Sequence, residues 1–191
     1  MIVEKSISSN ADKVLDDIEA AAKKQFLPII GPRKGKLLAE EIQKSKPKHV
    51  LEVGTLVGYS AILIGKNLDF DADIVTIEIH KDEAEEAGKN VLKANISAKV
   101  KIIIGDAKEI IPTLDSLFDF AFIDAEKNEY LEYLKLAEGK ICRGSVVFAD
   151  NAGIFADQMQ DYLNYVRNSG RYKSRYIQVG DDGVEISVKL I

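Results

Sequence analysis

The sequence predicts an α/β fold built on a mostly parallel sheet, with an antiparallel hairpin near the end of the chain. From His49 to Asp150, short apolar runs typical of buried strands alternate with stretches of helical periodicity. After Gly153 the pattern changes, and a helix leads to two extended segments. These are separated only by Gly180-Asp181-Asp182-Gly183, a composition typical of hairpin turns.

The length, charge and cysteine count of the chain exclude several classes of protein and of binding site. The 191 residues suit one sizeable core, so we expect a single domain, 1–191, with amino-terminal helices in 1–47 and the sheet core in 48–191. A formal net charge of -5 gives no general attraction to polyanions. The single cysteine, Cys142, excludes an intrachain disulfide and a cysteine-built metal site. Residues 1–14 lack the apolar core of a signal peptide and no run is long enough to span a membrane, so we expect a cytoplasmic protein.

The elements follow in order. Ala11–Lys24 has helical spacing with Asn10 as its expected N-cap; a turn is expected over Pro28–Gly35, and a second helix around Leu37 must end before Pro47. The predicted strands are His49–Val53, Ile74–Glu78, Val100–Ile104, Phe120–Asp124, Ser145–Asp150, Tyr172–Val179 and Val184–Leu190. The predicted helices between and after them are Tyr59–Asn67, Lys81–Ala94, Lys108–Leu114, Glu129–Glu138 and Asp157–Asn168.

Ligands of such sheets bind beyond the carboxyl ends of the strands. The first strand ends in a glycine turn, Gly54 to Gly58, whose spacing fits neither the dinucleotide fingerprint nor a P-loop. Nicotinamide and ATP binding are therefore disfavoured, although two glycines alone also fit a plain turn. Glu78 ends the second strand, where such folds bind ribose hydroxyls, or it is a solvated strand end. Asp106 either meets an adenine amine or caps the next helix.

Oxygen ligands follow the fourth and fifth strands. Asp124, Asp150 and Asn151 come directly after apolar runs, and carboxylate and amide oxygens suit a hard cation such as Mg²⁺. A pair of helix caps is the alternative interpretation. The pattern favours the metal.

Read together, these motifs resemble the cation-dependent O-methyltransferases of the catechol and caffeoyl-CoA type, small microbial branch. The stretches that carry the resemblance are Gly31-Pro32-Arg33-Lys34-Gly35, Leu51-Glu52-Val53-Gly54 through Gly58-Tyr59-Ser60, Thr76-Ile77-Glu78, Phe122 to Lys127 with Tyr130, Ala149-Asp150-Asn151 and the Gly180–Gly183 hairpin. The resemblance implies the class I S-adenosylmethionine-dependent (Rossmann-like) fold, with seven strands and helices on both faces.

The resemblance also implies roles for individual residues. Asp124, Asp150 and Asn151 would hold Mg²⁺, with Mn²⁺ or Ca²⁺ as alternatives, and the catalytic residues would be Asp124 and the general base Lys127. If the resemblance is set aside, the sequence indicates that Lys127 is a surface lysine at the start of a helix. The implied S-adenosylmethionine pocket comprises Ile30, Glu52, Gly54, Thr55, Tyr59, Ser60, Glu78, Asp106, Ala107, Asp124 and Glu126.

Two departures concern the acceptor. Ala125 and Glu126 replace the bulky aromatic and His side chains of catechol enzymes, and Tyr176 falls where those enzymes carry a carboxylate. The leading hypothesis is methylation of a small ortho-dihydroxylated aromatic. One alternative is a hydroxylated nucleoside in tRNA, held by Arg167, Arg171, Lys173 and Arg175. Another is a non-catalytic S-adenosylmethionine-binding module, which would not need Lys127 or the metal ligands. By resemblance, a homodimer is expected, and no membrane partner.

Overall fold

A seven-stranded sheet forms the centre of the computed structural model, which describes residues 9–191. The strands are β1 (His49–Val53), β2 (Asp73–Glu78), β3 (Lys99–Ile104), β4 (Phe118–Ile123), β5 (Ile141–Ala149), β6 (Tyr172–Val179) and β7 (Asp182–Lys189). Their order is β3-β2-β1-β4-β5-β7-β6. Strands β1 to β5 run parallel, and β7 is antiparallel to both β5 and β6. The predicted mostly parallel seven-stranded sheet with its antiparallel hairpin is confirmed.

Helices cover both faces of this sheet. They are α1 (Asn10–Ala22), α2 (Gly31–Ser45), α3 (Tyr59–Asn67), α4 (Lys81–Ala94), α5 (Ala107–Thr113), α6 (Tyr130–Ala137) and α7 (Gln160–Asn168). Side chains alternate between the faces along a strand, so Val50 packs with α1 to α4 whereas Leu51 packs with α5 to α7. None of the described helices is long and apolar enough to cross a membrane. The expectation that residues 1–14 are not a signal peptide falls partly on residues 1–8, which lie outside the described residues.

The first two helices begin earlier than predicted. Ser9, not Asn10, is the N-cap of α1, because the Ser9 hydroxyl accepts from the Asp12 N–H and the Asp12 carboxylate accepts from the Ser9 N–H. This reciprocal capping box satisfies two donors at once. The turn expected over Pro28–Gly35 is also wrong in its second half, since α2 begins at Gly31 with Pro32 in its first turn. A proline is tolerated there because that N–H has no partner in a helix. Lys34 therefore projects from a helix.

The terminal hairpin is tighter than predicted. Val179 pairs with Asp182, which leaves Gly180 and Asp181 as a two-residue turn. Gly180 has φ +69°, in the left-handed region that glycine adopts without steric cost. Asp182 is consequently the first residue of β7 and is held by the sheet.

The ends of β1 and β4 approach each other backbone to backbone at Gly54. This glycine has φ +96°, and a Cβ on it would lie 2.2 Å from the carbonyl oxygen of Asp124. The absence of a side chain thus brings the glycine turn directly against the first residue after β4.

Replacing Gly54 by alanine should be strongly destabilising, because the backbone would be strained and the new methyl would overlap Asp124. We expect the free energy of unfolding to fall by about 3 kcal/mol or more. Gly139→Ala is the matched control, since nothing lies within 4 Å of its Cβ position. Urea denaturation of both variants measures the difference. Equal stability of the two variants would contradict the close approach.

Candidate active site

The polar residues predicted at the strand ends lie along one edge of the sheet. Strand β1 has β2 on one side and β4 on the other, so the strand order reverses between β1 and β4. Open α/β sheets bind ligands at such a switch point. The glycine turn after β1 and the carboxylates that end β2, β4 and β5 all belong to this edge.

Glu78 is bound to the glycine turn. Its Oε2 accepts hydrogen bonds from the backbone N–H groups of Thr55 (3.1 Å) and Leu56 (2.7 Å), and its Oε1 accepts from His80 N–H (2.9 Å). The Glu78 side chain is buried, which excludes the interpretation as a solvated strand end. Two carboxylate oxygens have about four lone-pair sites, so Glu78 can still accept from a ligand.

Glu52 is a fully buried carboxylate that lacks hydrogen-bond donors to compensate for its burial. Neither oxygen has a partner in hydrogen-bonding geometry among the described residues. Burial raises the pKa of Glu52 to about 7, the charges of Asp124 and Glu78 add to the effect, and the nearby hydroxyls of Ser60 and Thr76 oppose it. These hydroxyls do not compensate for the burial of Glu52, because its pKa stays raised. Buried polar groups normally have partners, so Glu52 is suited to a cationic ligand group.

The remaining residues of the implied cofactor pocket differ in exposure and in hydrogen bonding. Ile30 and Ser60 are buried, Glu126 is exposed after β4, and Asp106 caps α5 by accepting from Lys108 N–H at 2.8 Å. The capping role of Asp106 is thereby confirmed. All of the following lie within three residues of the end of a strand: Gly54, Thr55, Asp106, Ala107, Asp124 and Glu126.

Tyr59, a residue of the implied cofactor pocket, is the first residue of α3. Its hydroxyl donates to Glu19 of α1 at 2.6 Å, and its side chain belongs to the core cluster that contains α1 and α2. The structure therefore turns the Tyr59 hydroxyl toward α1. Directly after Glu78, which ends β2, Ile79 is an apolar side chain that is 59% exposed. Sequence analysis did not single it out.

The three predicted metal ligands follow neighbouring strands, β4 and β5. Lys34 Nζ lies 2.6 Å from Asp150 Oδ1 and 2.8 Å from Oδ2, but buried Oδ1 has no partner in hydrogen-bonding geometry within the described chain. Burial raises the pKa of Asp150 to about 7, the charge of Asp124 adds to this, and Lys34 opposes it. The two carboxylates thus share a site with more negative charge than Lys34 alone offsets.

Lys127 faces this site. Its Nζ donates to Asp124 Oδ1 at 2.9 Å and to the hydroxyl of Tyr130 at 3.0 Å. The Lys127 side chain is only 16% exposed, so the alternative of a solvated surface lysine is wrong. The ring of Phe155 is also near Lys127, with its centre 6.0 Å from Nζ.

Asp182 joins the hairpin to the site, and sequence reasoning did not single it out. Its Oδ2 accepts from Lys34 Nζ (2.7 Å) and from Asn151 Nδ2 (3.0 Å). Burial raises the pKa of Asp182, but the hydrogen bonds from Lys34, from the backbone N–H of Ile154 and from Asn151 outweigh it and lower the pKa to about 2. Lys34 and Asp182 are 148 positions apart, so no local pattern connects them.

The arginines considered for RNA phosphates have protein partners. Arg167 makes two bonds to the buried carboxylate of Glu185, at 3.0 and 2.6 Å. Arg171 bonds to Glu138, and Arg175 bonds to Glu41. Three of the four basic residues are therefore engaged in ion pairs within the chain.

Comparison with known proteins identifies relatives. The family model described as O-methyltransferase matches residues 5–179. Catechol O-methyltransferase B of Danio rerio is 36% identical over 84% of this chain and 65% of that protein, slightly less than two thirds of its length. Catechol O-methyltransferase of Sus scrofa is 31% identical over 83% of this chain and 91% of that protein. The crystal structure of the O-methyltransferase TomG from Streptomyces achromogenes, in complex with SAM, has a TM-score of 0.86 and 25% identity, covering 100% of both chains.

The buried Glu52 predicts a pH-dependent stability. Its pKa rises from 4.5 to about 7 on folding, so its stabilising contribution is fully present below about pH 4.5 and is lost as the pH rises through about 7. Glu52→Gln should remove this loss and stabilise the ligand-free protein at pH 8 by up to about 3 kcal/mol.

The measurement is urea denaturation at pH 5 and pH 8 in EDTA. The exposed Glu85→Gln substitution on α4 is the matched control and should leave the pH dependence unchanged. If Glu52→Gln loses as much stability as the wild type between these pH values, Glu52 is not the buried carboxylate that titrates.

Proposed function

Because this chain belongs to the O-methyltransferase family, and is an S-adenosylmethionine-dependent enzyme of that class, we propose that it methylates a hydroxyl of a small ortho-dihydroxylated aromatic with the help of a divalent cation. One observation carries the proposal. The buried carboxylate of Asp150 lies beside Asp124 and Asn151, and Lys127 is directed to the same place.

The edge between β2 and β4 is suited to S-adenosylmethionine. The ligand carries an ammonium group and a sulfonium, and Glu52 is a buried acceptor without a hydrogen-bond partner among the described residues. Glu78 retains lone pairs for ribose hydroxyls, and exposed Ile79 beside it offers an apolar surface to a flat ring. Each feature matches a different chemical part of the cofactor.

The cation site fits a hard divalent ion. Asp150 Oδ1 is buried without a hydrogen-bond partner among the described residues, and Asp124 and Asn151 add a carboxylate and an amide oxygen. Mg²⁺ binds through such oxygens and keeps positions for water or substrate; Mn²⁺ and Ca²⁺ accept the same donors. A cation bound there would supply positive charge that lowers the pKa of a phenol from about 10.

Lys127 is proposed to accept the phenol proton at Nζ. Its hydrogen bonds to Asp124 and Tyr130 hold this nitrogen beside the ligand carboxylate. A general base must be within hydrogen-bond reach of the proton it takes and must be neutral at that moment. A divalent cation held by Asp124 and Asp150 would place positive charge beside this nitrogen.

The rim next to the site favours an aromatic acceptor over RNA. Ile154 is 56% exposed and Tyr176 is 41% exposed. The Tyr176 hydroxyl donates to the Asp182 carbonyl at 3.2 Å, which places this ring beside the site. Both side chains are uncharged, and the arginines that would hold phosphates are paired with carboxylates. An apolar rim suits a flat ring with few charges.

The proposal predicts methyl transfer from labelled S-adenosylmethionine to vicinal dihydroxy aromatics in Mg²⁺, and its loss in EDTA. The panel comprises catechols, hydroxycinnamoyl esters and their singly hydroxylated counterparts, which serve as matched controls. Metal-dependent product on the diols alone supports both the reaction and the role of the cation. Transfer at an equal rate in EDTA would overturn the metal. No product, with cofactor still bound, would redirect the search to hydroxylated tRNA or to a sensing role.

Asp150→Asn should separate metal binding from cofactor binding. It keeps the size of the side chain but removes the buried charge. Loss of an outer-shell partner of a metal site lowers activity by about 10- to 100-fold. Loss of the ligand charge itself should therefore lower turnover in Mg²⁺ by more than this. Cofactor affinity in EDTA, measured by calorimetry, should stay within about twofold. Exposed Asp157→Asn is the control. A variant that loses cofactor binding but keeps its affinity for Mn²⁺ would contradict the assignment.

A further inference from the structure

The carboxylate of Asp182 is saturated on both of its oxygens. Oδ1 accepts from the backbone N–H groups of Gly153 (3.1 Å) and Ile154 (3.0 Å). Oδ2 accepts from Lys34 Nζ and from Asn151 Nδ2. One side chain from the start of β7 therefore binds α2, the Asn151 side chain and the loop that follows β5.

The bond between Asn151 and Asp182 determines which amide atom of Asn151 is free. An ionised carboxylate only accepts hydrogen bonds, so the amide must turn its NH₂ group toward Asp182. The planar amide then directs Oδ1 away from Asp182, and Oδ1 accepts no hydrogen bond from any residue of the described range 9–191. Only this oxygen is able to bind a cation, because the NH₂ group has no lone pair to offer.

The backbone at Asn151 is held in the same way. Asn151 has φ +62°, a left-handed conformation that asparagine adopts more readily than most residues. The next residue, Ala152, donates its N–H to Gly183 O at 2.9 Å, and Gly153 and Ile154 bind Asp182. The hairpin thus fixes the three residues that follow Asn151 as well as its side chain.

From these contacts we infer that Asp182 is a positioning residue of the cation site, which sets the amide orientation of Asn151, and that Lys34 balances its charge and links it to Asp150. The inference rests on the proposed function, in which Asn151 is a metal ligand. Outer-shell partners of this kind orient ligands and fix which atom faces the metal. Asp182 itself touches neither the cation nor the acceptor in this assignment.

Asp182→Asn tests the positioning role. An amide has one accepting atom, so it cannot serve the backbone N–H groups on one side and Lys34 with Asn151 on the other. The affinity for Mn²⁺ alone, measured by electron paramagnetic resonance of the free ion, should weaken about 10-fold or more. Affinity for S-adenosylmethionine in EDTA should stay within about twofold, whereas a general loss of structure would reduce both.

Asp181→Asn is the matched control for charge, because Asp181 is an exposed neighbour in the same turn. It should leave the Mn²⁺ affinity unchanged. The double variant Lys34→Met/Asp182→Asn keeps the net charge of the pair at zero and leaves no buried ammonium without its Asp182 partner. The double variant therefore still tests the positioning role if the single variant Asp182→Asn does not fold. Its Mn²⁺ affinity should remain weak.

Wild-type affinity for Mn²⁺ in the double variant would show that only charge matters and would overturn the positioning role. The same conclusion follows if Asp182→Asn binds Mn²⁺ as the wild type does. A wild-type protein that binds no Mn²⁺ would instead overturn the proposed metal function, together with the inference that rests on it. The two failures are therefore distinguishable.

Discussion

The structure depends on the burial of negative charge at one edge of the sheet. Glu52, Glu78 and Asp150 are buried there, and the charge of Asp124 acts on both Glu52 and Asp150. Removing ionised carboxylates from water costs free energy unless hydrogen bonds or opposite charges compensate. Glu78 obtains hydrogen bonds from the backbone of the glycine turn, whereas Glu52 does not. The edge therefore carries a free-energy cost that a cationic ligand would reduce.

The cations that offset this charge come from outside the strands. Lys34 belongs to α2 and reaches both Asp150 and Asp182, and Lys127 lies in the short turn before α6 and reaches Asp124. The pKa of Asp150 stays raised by burial despite the charge of Lys34, so this compensation is incomplete. In the proposed function, a cationic group of S-adenosylmethionine beside Glu52 and a divalent ion beside Asp150 would reduce the remaining cost.

Local patterns allowed the fold and the strand-end residues to be predicted from the sequence. Strand alternation and glycine punctuation leave strong periodic signals, and parallel strands bring their carboxyl ends together, so Glu78, Asp124 and Asp150 were predicted at one edge. The ion pair between Lys34 and Asp182 could not be predicted, because it joins residues 148 positions apart and depends on helix α2 beginning at Gly31. The orientation of Tyr59 toward Glu19 also depends on packing between helices, which periodicity does not specify.

The antiparallel hairpin contributes to the site because of its direction. A strand antiparallel to β5 begins beside the end at which β5 stops, and Ala149 accordingly pairs with Glu185, three residues after Asp182. A parallel strand in that place would have presented its carboxyl end to the edge, joined to the chain by a further crossover. Reversal instead places the first residue of β7 and its tight turn against the loop that carries Asn151. The last strand of the chain, β7, is therefore also the one that can hold the last predicted metal ligand, Asn151, in place.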